Sequence, residues 1–93
     1  RHGTIFTWKG RLRIRNSGYK FDKKPLDEDC DCYVCKRFSR AYINYLMRIN
    51  EHVYMRYTTY HNLYFLQRLM EKIRIAIKEG KFNEFKREFL KKW

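Results

Sequence analysis

Residues 29 to 35 read DCDCYVC and hold all three cysteines of the chain, Cys30, Cys32 and Cys35. An odd number cannot pair completely as disulfides. The C-x-C-x2-C spacing is also too tight for bridges between neighbours without strain. Three thiolates converging on one soft cation suit the spacing better, and structural zinc takes four tetrahedral ligands from Cys and His. The fourth ligand must come from elsewhere. His61 is the first choice, because it is expected to open a long helix, where a side chain can project back from a fixed end. His52 is second, and Asp29 or Asp31 would serve if neither histidine reaches. The competing reading is three small buried cysteines and a histidine bonded to a carbonyl. Clustering argues against it for the cysteines, whereas spacing does not decide the histidine. Four protein ligands leave no open position, so such zinc is structural and not catalytic.

A metal staple suits a chain of 93 residues, which makes at most one small domain with a modest core. TIFTWKGRLRIRN alternates Ile5 and Thr7 against Phe6 and Trp8, turns at Lys9 and Gly10, and resumes with Leu12 and Ile14 between Arg11, Arg13 and Arg15. This predicts a β-hairpin with an arginine face. NSGYKFDKKPLDEDC reads as a loop with one short strand. From Cys35 to about Asn50 the recurrence of Phe38, Tyr42, Tyr45, Leu46 and Ile49 predicts one helix, while residues 51 to 60 fit strand or helix and stay unassigned. HNLYFLQRLMEKIRIAIKEG predicts a helix with an apolar stripe of Leu63, Leu66, Met70, Ile73 and Ile77, capped at Gly80. A last helix carries Phe82, Phe85 and Phe89. The fold class is therefore α+β, a hairpin and zinc knuckle followed by helices. Residues 1–61 form the hairpin, knuckle and first helix, and residues 62–93 the C-terminal helices, together one folded unit.

Twenty-two Lys and Arg against ten Asp and Glu give a net charge of +12, which favours an anionic partner, nucleic acid first. Arg1, Lys9, Arg11, Arg13 and Arg15 gather around one hairpin, whereas most lysines of residues 78–92 read as solvated. An aromatic content of 18% fits single-stranded RNA binding, a small core or a subunit interface alike. No apolar run approaches the roughly 18 residues a membrane span needs, and the expected setting is the reducing cytoplasm. The chain opens with Arg1 and enters a strand pattern almost at once, so it reads as part of a longer protein.

RHGTIFT, RLRIRN, PLDEDCDCYVCKRFSRAYINYL and HNLYFLQRLMEKIRIAIKEGKFNEFKREFL, in that order, closely resemble the C-terminal portion of the bacterial tRNA-guanine transglycosylases, also called queuine tRNA-ribosyltransferases. The resemblance implies a TIM-barrel enzyme that replaces the wobble guanine of certain anticodons with a deazaguanine base on the route to queuosine. It implies a structural zinc on Cys30, Cys32, Cys35 and His61, an arginine beside the tRNA anticodon loop at Arg1, and a homodimer interface at Phe38, Tyr42 and Tyr45. The family's two catalytic aspartates precede this segment, and Asp22, Asp27, Asp29 and Asp31 match neither, so no catalytic residue is expected in this chain. The alternative is a free-standing zinc-stabilised RNA-binding module.

Overall fold

The computed structural model describes residues 3–93. Two strands, β1 (Thr4–Thr7) and β2 (Gly10–Arg13), are followed by a 3-10 turn at Ser17–Tyr19 and four helices: α1 (Tyr33–Arg37), α2 (Arg40–Arg48), α3 (Val53–Lys78) and α4 (Phe82–Lys91). The fold is thus α+β, with the hairpin and the cysteine segment ahead of the helices.

A two-stranded ribbon is marginal alone and must bury its faces. β1 and β2 pair antiparallel with Thr4 opposite Arg13 and Thr7 opposite Gly10. On one face, Ile5 joins Ile14, Leu26, Val34, Ile43 and Leu46 in a core that also contains Cys32 and Cys35. Burial of each large aliphatic side chain there contributes about 1.5–3 kcal/mol. On the other face, Phe6 and Trp8 meet Phe65 of α3, with ring centroids 5.9 and 4.4 Å apart, and Phe89 and Trp93 complete the cluster. The Trp93 indole N–H donates to Thr7 O at 3.1 Å, tying the end of the chain to the hairpin. Gly10 is required at this join: its φ is +125°, and a Cβ there would lie 2.6 Å from the Lys92 carbonyl oxygen.

The helix expected from Cys35 to Asn50 is broken in two. Phe38 is extended (φ −125°, ψ 144°), and Ser39 caps α2 by accepting from Tyr42 N–H at 3.1 Å. The preceding loop completes the cap, because the Arg40 and Ala41 N–H groups donate to the Lys24 and Asp22 carbonyls, both at 2.8 Å. With its first free donors already satisfied, α2 gains nothing by continuing backwards. Asn50, at φ +58°, ends α2 in a Schellman arrangement, with Glu51 N–H bonded to Leu46 O, and Gly80 ends α3 in the same way. The strand expected between the hairpin and the cysteines is replaced by the Ser17–Tyr19 turn, whose N–H of Gly18 is held by Asn16 Oδ1.

Residues 51–60 mostly belong to α3, which begins at Val53. His61 therefore lies within this helix and does not open it, and the helix runs unbroken across positions 61 and 62. Its packed face is Tyr54, Thr58, His61, Phe65 and Ala76. The expected stripe points elsewhere: Leu63, Leu66, Met70 and Ile77 are exposed, and only Ile73 is half-buried. Polar Thr58 and His61 conceal the packed face from a reading based on hydrophobic spacing.

Candidate metal centre

The knuckle is built by backbone amides pointing at sulfur. Cys32 N–H donates to Cys30 Sγ and Cys35 N–H to Cys32 Sγ, both at 3.4 Å, so Cys32 is at once a donor ligand and the N-cap of α1. Such bonds favour the thiolate form. α1 packs on α3 at the level of His61, whose Nδ1 lies 3.7, 3.5 and 3.3 Å from the sulfurs of Cys30, Cys32 and Cys35. Zinc–sulfur and zinc–nitrogen bonds of about 2.3 and 2.0 Å at tetrahedral angles require sulfur-to-nitrogen separations of about 3.5 Å. The four donor atoms all lie within 4.8 Å of one another. Cys32, Cys35 and His61 are buried and Cys30 is half-buried. Distances, donor types and enclosure all fit a structural zinc site.

Groups packed this closely titrate together. Burial works against a charged His61, but the hydrogen bonds it donates to Cys30, Cys32 and the Phe6 carbonyl outweigh it and push its pKa up to about 10. Hydrogen bonds from Cys30 and Cys35 hold the Cys32 thiol well below its ordinary range. Hydrogen bonds within the same cluster, together with burial, push Cys35 the other way. A soft cation bound here displaces those protons, because the groups ligate as thiolates and neutral imidazole.

His61 Nε2 lies 2.8 Å from the Phe6 carbonyl oxygen, so the ring is held between β1 and the sulfurs. Next along the helix, Asn62 Oδ1 accepts from Phe6 N–H at 3.0 Å and its Nδ2 donates to Thr4 O at 2.9 Å. Asp27, buried under the knuckle, accepts from Trp8 N–H at 2.9 Å and from Asp29 N–H at 3.0 Å. The Tyr64 hydroxyl donates to Asp31 beside Cys30, and that bond raises the Tyr64 pKa to about 12. Asn62 and Asp27 are functional neighbours that sequence reasoning missed. The remaining candidate ligands stand outside the donor set: His52 is exposed at the start of α3, Asp31 is bound to Tyr64, and Asp29 is exposed.

Arg11, Arg13 and Arg15 are exposed along one side of the hairpin, with the Arg11 guanidinium 5.5 Å from the centre of the Trp93 ring. Arg1 lies outside the described residues. Phe38, Tyr42 and Tyr45 do not share one helix, since the chain breaks at Phe38. Phe38 nevertheless stacks on Tyr42 at 5.2 Å and turns its ring toward Tyr57 of α3 at 4.6 Å. Tyr42 and Tyr45 are 40% and 46% exposed, too open for core residues.

A family model described as queuine tRNA-ribosyltransferase matches residues 1–93. Curated relatives of that name include proteins from Halothermothrix orenii, 60% identical over 93 residues, Fusobacterium nucleatum, 57%, and Bacillus subtilis, 50%. Each match covers 100% of this chain and 24–25% of the relative, so the chain spans about a quarter of their length. Matched from end to end at such identity, the chain belongs to the queuine tRNA-ribosyltransferase family.

Proposed function

We propose that the chain is the zinc-stabilised C-terminal part of a tRNA-guanine transglycosylase that exchanges the anticodon wobble guanine for a deazaguanine base in queuosine biosynthesis. The observation that carries this reading is the four-donor set of Cys30, Cys32, Cys35 and His61 within a family match over the whole chain. Zinc held by four protein donors supplies rigidity, since no coordination position remains for substrate. Catalysis belongs to residues outside this chain. The nearby acids have other work: Asp22 pairs with Arg40 at 3.1 Å, Asp27 holds Trp8 and Asp29, and Asp31 holds Tyr64. A TIM barrel makes up most of the parent protein in this reading. The exposed apolar row Leu63, Leu66, Met70 and Ile77 supports a further body packed against α3.

Within that enzyme, Arg1, Arg11, Arg13 and Arg15 would hold tRNA phosphates, and Phe38, Tyr42 and Tyr45 would centre a homodimer contact of the aromatic kind that commonly dominates interfaces. Residues 1–61 and 62–93 form one unit, not two domains, which the continuous α3 supports. The test is exchange of labelled guanine into tRNA by the intact protein, with Arg11→Ala/Arg13→Ala as the probe of the basic face. Activity is expected, and tRNA binding by the double variant should depend less steeply on salt because fewer counterions are released. Absence of exchange by zinc-loaded intact protein would overturn the enzymatic reading, and an unchanged salt slope would move the RNA surface elsewhere.

A further inference from the structure

β1 has an outer side on which the backbone of Thr4, Phe6 and Trp8 faces away from β2. One side chain grips two of these residues: Asn62 takes the Phe6 N–H on its oxygen and gives its own N–H to the Thr4 carbonyl. An amide that accepts at one residue and donates two residues away does what a neighbouring strand would do. It fixes the strand both along its length and in rotation about its axis. The Phe6 carbonyl is thereby placed 2.8 Å from His61 Nε2, one position back on the same helix.

That placement has a chemical consequence. Neutral imidazole carries its proton on one nitrogen and can ligate a cation only through the other. With Nε2–H donated to Phe6 O, the lone pair is left on Nδ1, the nitrogen that faces all three sulfurs. We propose that Asn62 is a positioning residue of the metal centre, clamping β1 so that the Phe6 carbonyl accepts the hydrogen bond from Nε2–H and commits His61 Nδ1 to the metal. Asn62 touches no donor atom and acts through Phe6 and His61. The contacts all lie within this chain, so they do not depend on what covers the exposed face of α3. The proposal rests on the zinc assignment of the preceding section.

Asn62→Ala removes both grips. Asn62→Asp keeps an acceptor for Phe6 N–H and loses the donor to Thr4 O. In the intact protein, zinc affinity is measured by competition with a chromophoric chelator, and the cobalt(II)-substituted spectrum and His61 15N shifts report which nitrogen ligates. Partners of this kind typically carry about 10–100-fold in metal affinity, and that loss is expected for Asn62→Ala, with Asn62→Asp between it and wild type. The 15N pattern should show Nδ1 ligation weakened or mixed with Nε2. Ala76→Gly, about four turns along α3 from His61 and outside the core that holds Cys32 and Cys35, should lower stability and leave both readouts unchanged. Wild-type affinity and 15N shifts in Asn62→Ala would overturn the proposal, as would an equal loss in Ala76→Gly. If neither Asn62 variant folds even at saturating zinc, Asn62 serves the fold alone and the proposal fails. A wild-type protein that binds no zinc would instead sink the zinc assignment itself.

Discussion

Phe65→Ala should free α4 while leaving the metal centre in place. Phe65 is 1% exposed, and its ring lies between β1 on one side and α4 on the other. α4 has no fully buried residue of its own. Beyond the Trp93 bond to Thr7, it is held by Phe85, Phe89 and Trp93, and Phe65 meets two of these rings, Phe89 at 6.4 Å and Trp93 at 5.8 Å. At about 1 kcal/mol for each aromatic pair, the lost contacts should ease α4 opening by about 2 kcal/mol, or on the order of 30-fold in the open population. The total loss of stability should be larger, about 3–5 kcal/mol, because a buried phenylalanine also leaves a cavity. Hydrogen exchange read by mass spectrometry on the intact protein separates these effects. Amides of residues 82–92 should exchange about 30-fold faster, while those of residues 30–37 and the zinc content stay as in wild type. Unchanged protection of residues 82–92, or zinc lost before α4 opens, would show that the aromatic cluster does not carry the attachment.

Cys32→Ser should abolish metal binding and structure around the knuckle together, since Cys32 is both a ligand and the cap of α1; elemental analysis should give one zinc per chain for wild type and none for the variant. Tyr42→Ala should weaken the proposed homodimer of the intact protein with zinc retained; unaltered association in a destabilised protein, seen by analytical ultracentrifugation, would place Tyr42 in the fold instead. Partial burial works to raise the Asp22 carboxyl, but the Lys24 N–H and the Arg40 guanidinium outweigh it and hold its pKa below the usual value. Stability from this pair is therefore fully present above about pH 4, the unfolded value, and is lost as pH falls through the lower folded one. The stability gap between wild type and Asp22→Asn should close over that range, and a gap independent of pH would refute the pairing.

The hairpin, the three cysteine donors and the C-terminal ends of α2 and α3 were legible because each depends on local chemistry: alternation, thiol spacing, and residues suited to a left-handed turn. His61 follows from the family resemblance and not from its expected place at a helix start, since it projects from within α3. The break at Phe38 was missed because apolar spacing continued across it, while Ser39, the capping residue, was in plain view. The packed face of α3 is hidden because Thr58 and His61 on it are polar, and His61 spends its polarity on β1, which spacing along one helix cannot reveal. Asn62 and Asp27 were illegible for the same reason: their partners are backbone atoms of Thr4, Phe6 and Trp8, and no side-chain pattern announces which backbone groups a fold leaves unpaired.

The two long sides of the hairpin are guarded by different means. β2 carries Arg11 and Arg13, charges that discourage a second chain from adding a strand. β1 carries no charge, and the outward backbone groups of Thr4, Phe6 and the adjoining Trp8 bond to Asn62, His61 and Asp27. Two of those three residues lie on the helix that the metal would lock in place, and the third lies under the knuckle. Stripping the cation with a chelator or oxidising the thiols therefore uncovers an open strand edge as well as loosening a staple. The expected fate of the demetallated protein is intermolecular β-pairing and precipitation, so its solubility should track its zinc content more closely than its helix content does.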